Sequence, residues 1–197
     1  MRKQILIGAC TAIVAVGIFW YAENEGRKTA DNREVAVSTQ PDSQAASSQN
    51  IKQMVADYSS RALTSESASI TSTQLIVDSG GPKEVTYDLP ENEFFLSVAP
   101  YVEKTHPCAT HSLTGCQGEL TDQEFDVYIE DAEGKEVMNK SVKSQSNGFI
   151  DLWLPRDQNY RMTITHEGKQ AQSEISTVES DDTCLTTMQL TQSISTN

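Results

Sequence analysis

The chain has 197 residues and a formal net charge of −13, and its sequence pI is near 4.5. A negative charge of this size argues against nucleic acids and anionic lipid surfaces as partners, because both repel an acidic protein. The length is sufficient for one domain of ordinary size, after segments that do not belong to a folded core are set aside.

The N-terminus combines basic residues with a long uncharged run. Arg2 and Lys3 precede residues 5–22, and these 18 residues are close to the minimum for a helix that crosses a bilayer. The basic residues favour a cytoplasmic N-terminus, so the rest of the chain is expected on the extracytoplasmic side of the plasma membrane. We interpret residues 1–22 as an uncleaved signal anchor. A cleaved signal peptide and lipidation of Cys10 are the alternatives.

A polar segment separates this anchor from the folded part. Residues 23–50 contain hardly any large apolar residue, so they bury too little surface to offset the entropy lost on ordering, and we expect a flexible linker. From residue 51 the apolar residues follow a helical spacing, which predicts one amphipathic helix over residues 51–63. The stripe expected to pack on a core consists of Ile51, Met54, Val55, Tyr58 and Ala62.

Beyond the helix, apolar residues alternate with polar ones and turn signals recur, which indicates β-strands. One strand is expected over residues 70–78, followed by a Gly-Gly-Pro turn and a returning strand over residues 84–89. Residues 93–102 are the most apolar stretch after the anchor. The inward-facing residues of the later strands are predicted to be Phe125, Val127, Ile129, Ile150, Leu152, Leu154, Tyr160, Met162 and Ile164.

The spacing of these strands predicts a mainly β fold with a short N-terminal helix. We expect a small antiparallel β-sandwich-like domain over residues 51–192, behind a single membrane anchor. Residues 183–190 are expected to supply its last strand, and residues 193–197 to form a tail.

Cysteines and histidines give the strongest chemical signal. Cys10 lies inside the apolar run, which leaves an odd number of cysteines, three, for an oxidising compartment where disulfides form readily. Two histidines lie within three residues of Cys108. Thiolates are soft ligands and imidazoles borderline ones, so such a group favours Cu(I), with zinc as the leading competitor. The candidate ligands are Cys108, Cys116 and Cys184, with His106 and His111 as supporting residues.

A structural interpretation competes with the metal site. A disulfide between Cys108 and Cys116 would close a loop, with Cys184 buried and both histidines exposed. His166 has no cysteine near it in sequence and is interpreted as a surface residue, and Met188 as a packing residue. The sequence contains no hydrolase, phosphate-loop or thioredoxin motif, so none of those enzyme classes is supported.

Four segments together form a long and specific pattern. They are residues 94–102 (FFLSVAPYV), 105–119 (THPCATHSLTGCQGE), 147–156 (NGFIDLWLPR) and 184–190 (CLTTMQL). At these residues the chain resembles the CueP family of periplasmic or extracytoplasmic copper-binding proteins. The resemblance covers most of the expected domain. It implies that Cys108, Cys116 and Cys184 bind Cu(I), and His106 and His111 belong to the same motif.

The resemblance also implies a role in copper sequestration, copper resistance, or delivery of copper to an extracytoplasmic superoxide dismutase. Reduction of Cu(II) by the thiols is the alternative, and it would make the protein an oxidoreductase. A third interpretation is a structural envelope domain held by one disulfide. Relatives in the family look soluble after signal cleavage, whereas this chain looks tethered, which favours sequestration or local handover at the membrane.

Overall fold

The computed structural model describes residues 41–192, with side chains from residue 47 onward. Within that range no helix is long and apolar enough to cross a membrane. The expected anchor (1–22), Cys10 and the tail (193–197) lie outside the described residues. The elements are α1 (Pro41–Ser59), β1 (Ser67–Ile70), β2 (Gln74–Asp78), β3 (Val85–Asp88), β4 (Glu93–Val98), β5 (His111–Ser112), β6 (Glu124–Asp131), β7 (Glu136–Lys143), β8 (Ile150–Pro155), β9 (Asn159–His166), β10 (Lys169–Ser176), β11 (Cys184–Leu185) and β12 (Thr191–Gln192).

Helix α1 starts earlier and ends earlier than predicted. Its first ten residues belong to the expected linker, so that expectation is wrong for residues 41–50. These residues include Pro at the first position, which suits a helix start, but no apolar stripe that periodicity could detect. At the other end, Ala62 lies beyond the helix and is exposed, so it does not continue the stripe. Val55 and Tyr58 are buried, as predicted.

The strands form three sheets, which confirms the mainly β prediction. The strand orders are β3-β2-β1-β5, β12-β10-β9-β6-β7 and β11-β4-β8. Neighbouring strands are antiparallel, except that β11 runs parallel to β4.

Two predicted strands need correction. Residues 70–78 form two strands rather than one, because the Thr71 hydroxyl accepts hydrogen bonds from the N–H groups of Thr73 and Gln74 and turns the chain. Residues 183–190 contain only the two-residue β11 and an isolated bridge at Gln189, and β12 follows them as the last strand.

Strand β4 lies in the middle of the fold because it is buried on both faces. Phe94, Leu96 and Val98 pack in the core shared with the five-stranded sheet. Phe95 packs instead with α1 and the four-stranded sheet. Side chains alternate along a strand, so Ser97 shares the face of Phe95. Ser97 pairs with Cys184 of β11, which brings this cysteine to the same face.

Asp151 of β8 extends that row of paired residues. It lies opposite Ser97, whose hydroxyl donates a 2.6 Å hydrogen bond to Asp151 Oδ1. The second carboxylate oxygen, Oδ2, is buried without a hydrogen-bond partner among the described residues. Burial raises the pKa of Asp151, and the hydrogen bond from the Ser97 hydroxyl offsets only part of that rise.

The free energy of unfolding of Asp151→Asn, relative to that of the wild type, is expected to increase as the pH rises. A raised folded-state pKa favours folding below the ordinary Asp pKa of 3.8, and this contribution is lost as the pH rises through the raised value. Asn retains an oxygen for Ser97 but does not titrate. The measurement is the free energy of unfolding in urea at a series of pH values, with the reduced protein. A difference between variant and wild type that stays constant over this pH range would contradict the prediction.

Candidate metal centre

Four side chains from two parts of the chain, residues 108–116 and Cys184, meet at one place. The ligand atoms of Cys108, His111, Cys116 and Cys184 all lie within 4.8 Å of one another. The sulfurs of Cys108 and Cys184 are at disulfide distance. Cys116 Sγ lies 3.6 Å from Cys108 Sγ, and His111 Nδ1 lies 3.6 Å from Cys184 Sγ. The centre therefore contains a bonded pair of sulfurs, a third sulfur beside it and one imidazole.

The bonded pair differs from the disulfide considered as the structural alternative. That alternative joins Cys108 to Cys116, whereas the bond joins Cys108 to Cys184, 76 residues away along the chain. Within the described residues Cys116 is the free cysteine. The third sulfur is thus adjacent to the disulfide rather than part of it.

Cys184 is held in place by the residue before it. The Thr183 carbonyl accepts a hydrogen bond from the Ser97 N–H at 2.9 Å, which joins β11 to β4. The Thr183 hydroxyl accepts from the His111 N–H at 3.1 Å and donates to the Ile70 carbonyl at 2.6 Å. Thr183 is buried, and its hydroxyl and carbonyl together link three strands, β1, β4 and β5, behind the centre.

His111 forms the buried floor of the centre. Strand β5 pairs it with Ile70, and its side chain is fully buried with its ring centroid 4.4 Å from that of Phe149. Burial, together with the nearby His106, lowers the pKa of His111 to about 4. The ring is therefore neutral above that pH, which is the form that binds metals. Nε2 has no hydrogen-bond partner among the described residues.

Cys108 and Cys116 form the accessible side of the centre, because both are only half-buried. A cleft of about 250 Å³ opens beside Cys108 and Cys184 and is also lined by Glu174, Asp181 and Asp182. A larger cleft, of about 750 Å³, lies between the N-terminal part of α1 and residues 87–93, but no cysteine or histidine lines it. We therefore locate the chemistry at the smaller cleft.

Comparison with known protein families and solved structures identifies the family of this chain. A profile described as "Periplasmic copper-binding protein CueP" matches residues 49–189. The chain belongs to the CueP family. Its structure is similar to the crystal structure of S.CueP, with a TM-score of 0.68 and 39% sequence identity, over 72% of this chain and 89% of that chain. No match was found among curated proteins. The family resemblance inferred from the four sequence segments is thus confirmed.

Gly118 and Glu119, at the end of the family motif, bind the loop that carries Cys116 to neighbouring segments. The Gly118 N–H donates a 2.7 Å hydrogen bond to the Asn147 carbonyl, and its backbone lies directly against Gly148. A Cβ atom on Gly118 would lie 2.5 Å from the Gly148 carbonyl oxygen. The two glycines therefore allow a contact between backbones that any larger residue would prevent.

Glu119 connects this loop to the segment that leads to Cys108. Its carboxylate accepts hydrogen bonds from the N–H groups of Val102, Glu103 and Lys104 at 2.7, 3.0 and 3.2 Å. Burial alone would raise the pKa of Glu119, but these N–H groups and the charge of Lys104 lower it on balance. The ionised side chain thus holds together the segments before Cys108 and after Cys116.

The other residues considered in the CueP motif and its surroundings lie outside the four-residue group. His106 is half-buried and faces Phe149, with the ring centroids 6.2 Å apart. His166 Nδ1 donates to the Glu124 carbonyl at 2.8 Å. Met188 is buried in the main core, in agreement with its interpretation as a packing residue. The structure therefore separates the two motif histidines: it brings His111 to the sulfurs and leaves His106 outside the group.

Sequence reasoning missed two residues that shape this centre in the CueP fold. Phe149 packs on His111 and belongs to the same buried cluster as Cys184. Thr183 makes the hydrogen bonds behind Cys184. Phe149 lies within the motif segment 147–156 and Thr183 directly precedes Cys184, and those positions were the available signal.

Proposed function

We propose that this protein binds copper outside the plasma membrane and holds Cu(I) with the thiolates of Cys108, Cys116 and Cys184. The observation that carries the proposal is the convergence of these sulfurs and His111, with all four ligand atoms within 4.8 Å of one another. Membership of a family described as periplasmic copper-binding proteins supports copper as the ion and an extracytoplasmic location.

The chemistry of the donor set favours Cu(I). Soft thiolates select this ion, which accepts two or three ligands, and the neutral His111 ring adds a borderline donor next to Cys184. His106 is better suited to an outer role, because its ring faces Phe149 and it is not among the four residues whose ligand atoms converge. Three cysteines and one histidine are also a common zinc set, so zinc is the competing ion for any test.

Binding through all three thiolates requires the bond between Cys108 and Cys184 to be reduced first. Reduction takes two electrons and two protons from an external thiol donor, and it returns both residues as thiols. Metal binding then releases the thiol protons. Copper loading is therefore coupled to the redox state of one cysteine pair.

We infer a role in copper sequestration, in resistance, or in delivery to a client enzyme such as an extracytoplasmic superoxide dismutase. Residues 1–22, as an uncleaved anchor, would keep the protein at the membrane and favour local handover over free diffusion.

The test is an anaerobic titration of the reduced, full-length protein with Cu(I) in competition with a chelator. We expect one tightly bound Cu(I) per chain, and we expect three thiols to become unreactive when it binds while Cys10 is unaffected. The same titration with Zn(II) measures the preference between the ions. Failure of the protein to take Cu(I) from the chelator would contradict the copper function.

A second function, reduction of Cu(II), is favoured by the sulfur arrangement. Cys108 and Cys184 are at bonding distance, and Cys116 remains beside them as a thiol. Two Cu(II) ions and two thiols would give two Cu(I) ions, one disulfide and two protons. Mixing reduced protein with Cu(II) without oxygen should abolish the Cu(II) EPR signal as two thiols disappear. A signal that persists while all thiols remain reactive would contradict this function.

A further inference from the structure

Arg61 joins the end of helix α1 to the loop that carries Cys116. Its guanidinium donates hydrogen bonds to the Thr114 carbonyl and to Gln117 Oε1, both at 3.3 Å. These acceptors lie two residues before and one residue after Cys116. One planar group therefore spans the peptide segment that presents the third sulfur.

The contacts around Arg61 close a ring of hydrogen bonds. Gln117 Nε2 donates to the Ser146 carbonyl at 3.5 Å, and the Ser146 hydroxyl donates to the Ser60 carbonyl at 3.3 Å. Ser60 precedes Arg61, so the ring returns to the end of α1. It fastens the Cys116 loop to the helix and to the turn before Phe149.

The backbone at Arg61 adopts a conformation that glycine would accept more readily. Its φ of 64° lies in the left-handed region, at a helix end where glycine is the usual residue. Arginine is less suited than glycine to this conformation. The side chain is exposed, so it does not contribute to the core. Its described hydrogen bonds are those to the Cys116 loop.

We propose that Arg61 is a positioning residue that holds the Cys116 sulfur beside Cys108 for metal binding, and this proposal rests on the copper function proposed above. Leu113 is fully buried at one end of the loop, and Gly118 is fastened to Asn147 at the other. Between these points, the Arg61 guanidinium makes the direct side-chain hydrogen bonds from the end of α1 to residues 114–117, while Thr114 Oγ1 accepts from the Ala68 N–H on the other side. Without Arg61, the loop spends less time in the binding conformation, and the apparent affinity falls by that fraction.

The experiment is a double-mutant cycle on the full-length chain, read by anaerobic Cu(I) competition titration. Arg61→Gly keeps the preferred backbone conformation and removes both hydrogen bonds. It should weaken Cu(I) binding roughly three- to fivefold, the upper part of the range expected for exposed charged contacts. In a Cys116→Ser background the same substitution should change affinity less than about twofold, because the sulfur it positions is gone. Arg61→Asn, which accepts the same φ but is too short to reach Thr114, should repeat the result.

Glu167→Gly is the matched control. Glu167 also has a positive φ, of 48°, and lies in the turn between β9 and β10. The Glu167→Gly substitution should leave Cu(I) affinity unchanged. Wild-type affinity in Arg61→Gly would overturn the positioning role and leave the copper function standing. An equal loss of affinity with and without Cys116 would overturn it as well, since it would indicate a general structural effect. A wild-type protein that cannot compete for Cu(I) would instead overturn the copper function, and the positioning role with it.

Discussion

Cys184→Ser is expected to weaken Cu(I) binding by roughly a hundredfold or more. Loss of a group that merely orients a ligand costs about 10- to 100-fold in metal affinity, and loss of the ligand itself should cost at least as much. A serine hydroxyl is a hard donor that stays protonated, so it does not replace a thiolate. Cys184 is 5% exposed, which keeps solvent ligands from taking its place. The measurement is the anaerobic competition titration.

The other cysteines provide matched comparisons. Cys108→Ser and Cys116→Ser should weaken Cu(I) binding to a similar extent, because each removes one sulfur of the same cluster. Cys10→Ser should have no effect, since Cys10 lies in the N-terminal apolar run. If Cys184→Ser binds Cu(I) within about threefold of wild type, less than 1 kcal/mol, Cys184 is not a ligand.

Oxidation of the wild-type protein should have a larger effect than any single substitution, because the bond between Cys108 and Cys184 removes two sulfurs at once. Only Cys116 and His111 then remain in the described cluster. Adding a thiol reductant should restore binding. In the Cys184→Ser variant, Cys116 lies 3.6 Å from Cys108 and becomes the available partner for oxidation. Anaerobic Cu(I) titration of the oxidised and the re-reduced protein checks the loss and recovery of binding. Counting thiols before and after mild oxidation of Cys184→Ser checks the new pairing.

The strands were predictable where a single face is buried. Phe125, Val127 and Ile129 alternate with polar residues, and all three are buried in β6. The same alternation identifies the inward residues of β8 and β9. The reason is physical: successive side chains of a strand point to opposite faces, so burial of one face leaves a period of two in the sequence. Helix α1 shows the limit of this signal, because the part before residue 51 has no apolar stripe.

The candidate centre was predictable in its residue types but not in its pairing. His106 and His111 lie at similar distances from Cys108 in sequence, and nothing local distinguishes them. Pairing of His111 with Ile70 turns its ring inward. The bond from Cys108 to Cys184 depends in turn on the parallel pairing of β11 with β4. Such contacts join distant parts of the chain, and no periodicity in the sequence reports them.

Gly118→Ala is expected to destabilise the reduced, metal-free protein by about 1–3 kcal/mol, the usual cost of forcing extra atoms into a packed site. The new Cβ would lie 2.5 Å from the Gly148 carbonyl oxygen and 2.9 Å from its carbon. Both are backbone atoms, so they cannot move aside as a flexible side chain would. The two segments must separate, which should weaken the 2.7 Å hydrogen bond from Gly118 to Asn147. The measurement is the free energy of unfolding in urea.

The glycines of the chain supply a graded series that separates sterics from backbone strain. Gly148→Ala should cost more than Gly118→Ala, because its Cβ would meet the Gly118 oxygen at 2.7 Å and its φ of 79° also disfavours alanine. Gly81→Ala should be nearly neutral, because nothing lies within 4 Å of the added atom.

The same series tests whether the glycine contact serves the metal centre. Gly118 lies two residues after Cys116, so its displacement should also lower Cu(I) affinity, whereas Gly81→Ala should not change it. Equal stability of the Gly118 and Gly81 variants would show that the two backbones separate without cost. The Gly118 contact would then not be what holds the third sulfur in place.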